Sequence, residues 1–185
     1  MKSLRHLFRR TASDESGAAT IPFVLFFPFF LTMVMGSLEM GMMMLRHVML
    51  ERALDLTVRD LRLGNWTPDP NGASPSDQLK VQICNKTGIL PACTSAMLVE
   101  LRPVSKTTWQ PLSSGATCVD RSQSVQPVTA FDQGGSNDMM LVRACIKVDT
   151  MFVTTGMGFG LPKDNTGAYA LVSTTAFVNE PRPGT

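Results

Sequence analysis

The chain has little that would serve chemistry. Histidine occurs twice, as His6 and His47. They lie far apart, so a Ser-His-Asp or Cys-His arrangement would need His47 carried against a distant segment. No HExxH, P-loop or GxSxG pattern is present. Gly156, Gly158 and Gly160 alternate with Met157 and Phe159, which is a loop pattern and not the phosphate-cradling spacing of GxGxxG. Asp132, Asp138, Asp149 and Asp164 are scattered, without the alternation of a calcium loop. No CxxC occurs, which argues against a thioredoxin-like redox site, and no closely spaced cysteine pair with a partnering histidine offers zinc a ligand set. Charged residues make up 17% of the chain and the formal net charge is +2, with no long basic run, so nucleic acid is not an expected partner. The expectation is a chain with no catalytic residue, no cofactor and no metal site: a structural or interaction protein and not an enzyme.

What the chain does have is one dominant apolar stretch. From Ala18 to Leu38 there is no charged side chain, and most positions are Phe, Leu, Met, Val or Ile. About 20 such residues suffice to cross a hydrocarbon core roughly 30 Å thick. Beyond it the apolar character narrows into a stripe. Leu50, Leu54, Val58 and Leu61 recur at helical spacing, with Arg52, Asp55, Arg59 and Asp60 around them. Gly64-Asn65 and then Pro68 supply the stop. One helix from about Ile21 to Leu63 is expected, about 65 Å long at 1.5 Å per residue.

Within that helix, Pro22 falls in the first turn, where a missing N–H matters little, and Pro28 lies further in, where a kink or loosening is expected. Ser37 and Gly41 form a small-xxx-small pair that lets another helix approach closely. Glu39 is the sole acid between Glu15 and Glu51 and falls near the outer interface. There it either reaches water or pairs with a cation on a neighbouring helix. Seven of the 13 methionines lie between Met33 and Met49 without a companion Cys and with His47 alone among them. They read as adaptable packing filler.

The first residues, MKSLRHLFRRTASDES, are polar and basic, as in a cytoplasmic leader. A cleaved secretory signal competes with this, but the apolar run exceeds the usual ~7–15 residue core and no clean A-x-A site follows. Arg46, Arg52, Arg59 and Arg62 spoil the charge asymmetry, so orientation rests on the cysteines. Cys84, Cys93, Cys118 and Cys145 all follow the apolar helix, and an even number in a small domain suggests disulfides in an oxidising compartment. Three pairings are open; local loop closure favours Cys84 with Cys93 and Cys118 with Cys145. The expected topology is a single pass with the N-terminus cytoplasmic and the C-terminal domain outside.

Residues 64–78, GNWTPDPNGASPSDQ, read as a linker, with Trp66 a candidate surface anchor. From Leu79 onward the signals are strands: KVQIC around Val81 and Ile83, MLVELR from Met97, LVRACIKVD from Leu141, and YALVSTTAFV from Tyr169. The fold class is therefore α+β. A long membrane-spanning helix continues as an amphipathic stalk, and a small, mostly antiparallel β domain with disulfides packs on its outer half. The division is 1–17 leader, 18–63 membrane and stalk helix, 64–78 linker, and 79–185 extracytoplasmic β-rich domain. A membrane-anchored periplasmic binding or sensory module is the alternative function for such a plan.

The residues Asp14-Glu15-Ser16-Gly17-Ala18-Ala19-Thr20, then Phe23 and Pro28, then Gly36-Ser37-Leu38-Glu39-Met40-Gly41 resemble the TadE-like family of tight-adherence pilus assembly proteins. The closing Phe177-Val178-Asn179-Glu180-Pro181 is similar to that family's C-terminal ending. The resemblance implies an inner-membrane protein that takes part in building an adhesive pilus. Its implied partners are other pilus assembly subunits, pilins, membrane lipid and a prepilin peptidase cutting after Gly17, ahead of Ala18. One position departs from the pattern. The family usually carries Glu five residues after that glycine, followed by an aromatic; Phe23 supplies the aromatic, but Pro22 stands where the Glu is expected. Both fates are then open, a processed pilin-like subunit and an unprocessed assembly or priming factor.

Overall fold

A computed structural model describes residues 20–108, 115–152 and 160–181. The basic leader, the Gly17–Ala18 position and Gly156–Phe159 of the glycine-rich run lie outside the described residues. The long helix is α1, Thr20–Arg62, an unbroken helical stretch of 43 residues that runs through Pro28. Its ends fall within a residue of the expected ones, because the glycine stop is read directly: the Gly64 amide donates to the Leu61 carbonyl at 3.0 Å, with Gly64 at φ +69°.

The linker is shorter than expected, and the first expected strand is a helix. Pro75–Thr87 forms α2. Ser74 caps its N-terminus by accepting from the Asp77 amide at 3.3 Å, Pro75 stands in the first turn, and Gly88 closes the far end in the left-handed region. Leu79, Ile83 and Thr87, spaced by four, are its buried face. The Lys80 ammonium, followed by the Ser74 hydroxyl, holds the Asp77 carboxyl below its usual range, as suits an acid in a helix's first turn. A single turn, α3 (Cys93–Ala96), leads into the sheet.

The sheet has three antiparallel strands in the order β1-β2-β3: Met97–Pro103, Met139–Asp149 and Ala168–Val178. Register pairs Val99 with Ala144 and Ala144 with Ser173. In β1, Met97, Val99 and Leu101 are buried, and in β3 Tyr169, Leu171, Ser173 and Phe177 are. This period of two marks sheets covered on one face. The central strand β2 is buried on both faces. Val142, Ala144, Ile146 and Val148 join the core with Leu50, Leu54, Val58 and Leu61 of α1 and with Leu79 and Ile83 of α2. The other face, with Arg143 and Cys145, is covered by the segment leading to Val119. There the Arg143 guanidinium donates to the Gly115 carbonyl at 2.7 Å.

Two disulfides fasten these layers, Cys84–Cys93 and Cys118–Cys145, the two locally closing pairs. The first ties α2 to α3, and the second ties the covering segment to β2. Trp66 is no surface anchor: it is buried and meets the Phe131 ring edge-on at 6.4 Å. The Phe131 segment also protects the outer edge of β1, where the Leu101 amide donates to Ala130 O and the Asp132 amide to Leu101 O. Gly134, at φ +61°, suits a backbone conformation that other residues rarely adopt, and a Cβ there would lie 2.5 Å from the Met140 sulfur and oblige that side chain to shift.

Candidate functional site

The feature that stands out is a change of surroundings along one helix. No residue from Thr20 to Leu38 is buried; Phe23, Phe26, Phe29 and Phe30 are each at least 60% exposed. The most apolar 18-residue window of α1 has mean hydropathy 2.1 and none of it is buried, so α1 is long and apolar enough to cross a membrane. An uncovered surface of this size and composition is unsuited to water. Phe23 and Phe27, one turn apart, stack at 4.8 Å.

Burial begins at Glu39. Its side chain is 1% exposed. Both carboxylate oxygens accept from the Met151 amide, at 3.0 and 2.9 Å, and Oε2 also accepts from Phe152 at 2.8 Å. Glu39 is therefore not open to water, and within the chain its carboxylate is taken up by backbone amides. It caps the chain leaving β2, and so ties that end of the sheet to α1.

Ser37 and Gly41 lie elsewhere. At about 100° per residue they share one side of α1, with Glu39 roughly opposite. Both are exposed. The Ser37 hydroxyl donates back to the Val34 carbonyl at 2.8 Å, and a Cβ placed on Gly41 would meet nothing within 4 Å. The three candidates for helix packing thus separate into an open small-residue face and a carboxylate used within the chain.

Above Glu39, α1 and β3 enclose an apolar groove of about 420 Å³, lined by Met43, Met44, His47, Leu161, Pro162 and Val172 among others. The His47 Nε2 lies 3.1 Å from the Val172 carbonyl, which can only accept, so this nitrogen carries the hydrogen. Beneath the β3 end of the groove, Asp164 turns the chain into β3. Burial alone would raise its pKa; the Thr166 hydroxyl, the Lys147 ammonium and the Thr166 and Ala168 amides outweigh this and hold it well below the carboxylate range. A second concavity, of about 300 Å³, lies between α2 and β1 beside Asp77, Lys80 and Val128. Among the described residues no group of three His, Cys, Asp or Glu side chains is placed to hold a metal.

The ending Phe177–Pro181, singled out by resemblance alone, has a structural use. Asn179 is buried and donates through Nδ2 to the carbonyls of Gln133 and Gly135. Glu180 pairs with Arg62 at 3.0 Å, closing the end of β3 onto the end of α1. No local pattern announces these contacts, since their partners are remote in sequence.

Comparison with known proteins finds one family. Residues 17–59 match the family model described as TadE-like protein, a span that covers most of α1 and none of the sheet. No curated protein and no solved structure matches the chain.

Proposed function

We propose that this chain, TadE-like along its long helix, is a membrane-anchored subunit supporting the biogenesis of an adhesive pilus, as an assembly factor or minor pseudopilin. Its N-terminus is cytoplasmic and its sheet domain periplasmic. Residues 1–17 are the leader, 18–63 the anchor and stalk, and the remainder the outward-facing domain that meets other pilus subunits. The single observation that carries this is the split of α1 at Glu39. One helix offers about 20 uncovered apolar residues to lipid or to other helices, then devotes its next turns to its own sheet. A chain built this way associates sideways through the first half and presents a separate folded surface through the second.

Deletion of the gene is expected to abolish surface pili and adhesion, and normal pili in the deletion strain would sink the proposal. The N-terminus and mass of the protein from cell envelopes decide which kind of subunit it is. An N-terminus at Ala18 means that a prepilin peptidase accepts Pro22 and that the chain follows a pilin-like route. An intact Met1 means permanent anchoring as an assembly component.

Gly41→Leu tests the packing face separately from the fold. The site is open, and replacing a helix-interior glycine by a better helix former raises stability by up to about 1 kcal/mol. The expected result is an unchanged or slightly higher melting temperature together with weaker cross-linking to pilus partners. Undiminished cross-linking would remove Ser37 and Gly41 from the interface.

A further inference from the structure

We propose that the groove between α1 and β3 rests on the lipid surface, giving the folded domain a membrane contact of its own beside the spanning helix. The proposal rests on α1 crossing the membrane as set out above. Position supplies the first argument. Glu39 stands about 20 residues into the apolar stretch, near the end of a ~30 Å core. Met43 lies one turn beyond Glu39 and His47 two turns beyond, so the groove begins about 6 Å and ends about 12 Å above it. The headgroup layer adds about 5–7 Å on each side of the core, so the Met43 end of the groove stands within that layer and the His47 end just above it.

Surface chemistry supplies the second. The exposed apolar surface does not stop where burial starts. Met40, Met44, Leu45 and Val48 are exposed along α1, and Val172 of β3 and Met151 just beyond β2 are exposed on the sheet domain. Met44 is 47% exposed, Met151 49% and Val172 38%. Beside these, directly after Pro162, stands Lys163. Apolar side chains edged by a long cation are what an interfacial surface needs, since the stem lies on the acyl boundary while the ammonium reaches phosphate.

The third argument is the use made of Glu39. Backbone N–H groups at membrane depth must find partners within the protein. Met151 and Phe152 are the part of the sheet domain tied to the membrane-level turn of α1, and their amides are satisfied by Glu39. A buried acid otherwise out of place becomes the device that lets a sheet-end backbone sit at lipid level.

The test uses the full chain, one copy per lipid nanodisc of phosphatidylcholine and phosphatidylglycerol, with lipids brominated at shallow or deep acyl positions. Met44→Trp and Val172→Trp place reporters on the two walls of the groove, Leu25→Trp reports on the spanning half, and Val128→Trp reports on a 97% exposed site away from α1. All four replace exposed side chains, and a thermal melt verifies that each variant folds. The expected result is that shallow bromine lowers the added emission of both groove reporters by about half, as for side chains seated 5–10 Å into the interface. Deep bromine then quenches Leu25→Trp, and Val128→Trp is unaffected. Quenching of Leu25→Trp with neither groove reporter touched, or with Met44→Trp alone touched, overturns the proposal and leaves the anchor in place. If Leu25→Trp is not quenched, both fall. A blue shift of the groove reporters that needs two copies per disc and no bromine effect would assign the groove to a second copy of this chain instead.

Discussion

Leu54→Ala is expected to destabilise the folded domain by about 3 kcal/mol, because its side chain is 1% exposed in the contact between α1 and the sheet. It stands with Leu50, Ala53, Val58 and Leu61 as the apolar contribution of α1 to the core, beside the polar ties that Glu39, Arg46, His47 and Arg62 make to the sheet domain. Truncation removes buried methyl groups and leaves a cavity that neighbouring β-strands, fixed by their hydrogen bonds, collapse into only partly. For a domain of this size the melting temperature should fall by about 10–15 °C. Thermal melts in detergent micelles measure it, with Val128→Ala as the exposed control. The apolar half of α1 remains helical in the micelle, so the transition should appear chiefly in the sheet signal. A loss no greater than that of Val128→Ala would mean that the α1–sheet contact is not part of the cooperative fold.

The second large effect is expected at Glu39. Glu39→Ala strands the amides of Met151 and Phe152 and leaves a hole where a buried side chain stood. An unsatisfied buried donor costs about 1–3 kcal/mol, so a loss of about 3 kcal/mol is expected for the site as a whole. Glu39→Gln separates hydrogen bonding from volume. Both carboxylate oxygens are used as acceptors, whereas glutamine offers one acceptor and turns a second donor toward amides that are themselves donors. It should retain roughly half of the stability, by restoring one hydrogen bond worth about 1 kcal/mol or more. Amide exchange at Met151 and Phe152 provides the local readout. Both should exchange much faster in Glu39→Ala, and protection equal to wild type would show that Glu39 does not hold this segment in solution.

These two positions also show what the residues reveal in advance and what they do not. The span of α1 is legible because two local signals agree, a charge-free run of membrane length and a stripe at helical period that stops at Gly64. The three strands are legible from their β-forming residues, and in β2 also from alternation, since Val142, Ala144, Ile146 and Val148 share one face and are the residues that join the core. α2 is misread because five residues, KVQIC, fit a period of two as well as a helical one. The deciding signals lie outside that window, in the Ser74-Pro75 start and the Gly88 stop. Glu39 is visible as an anomaly, but its partners are 112 and 113 residues away, and no short-range pattern can name them. The disulfides fall between these cases. Composition indicates that cysteines pair, and only the fold brings Cys118 onto β2 beside Cys145.

The continuity of α1 makes the protein a lever. Pro28, its only internal proline, lies on the membrane side of Glu39, so no proline softens the arm from Glu39 to Arg62. That arm is about 35 Å long, and a tilt of roughly 20°, ordinary for a spanning helix, swings its tip by about 12 Å. The sheet is fastened to the arm at both ends, by Glu39 below and by the Arg62–Glu180 pair above, and moves with it as one piece. A neighbour that leans on the uncovered half of α1, below Glu39, therefore re-aims the outer surface without touching it.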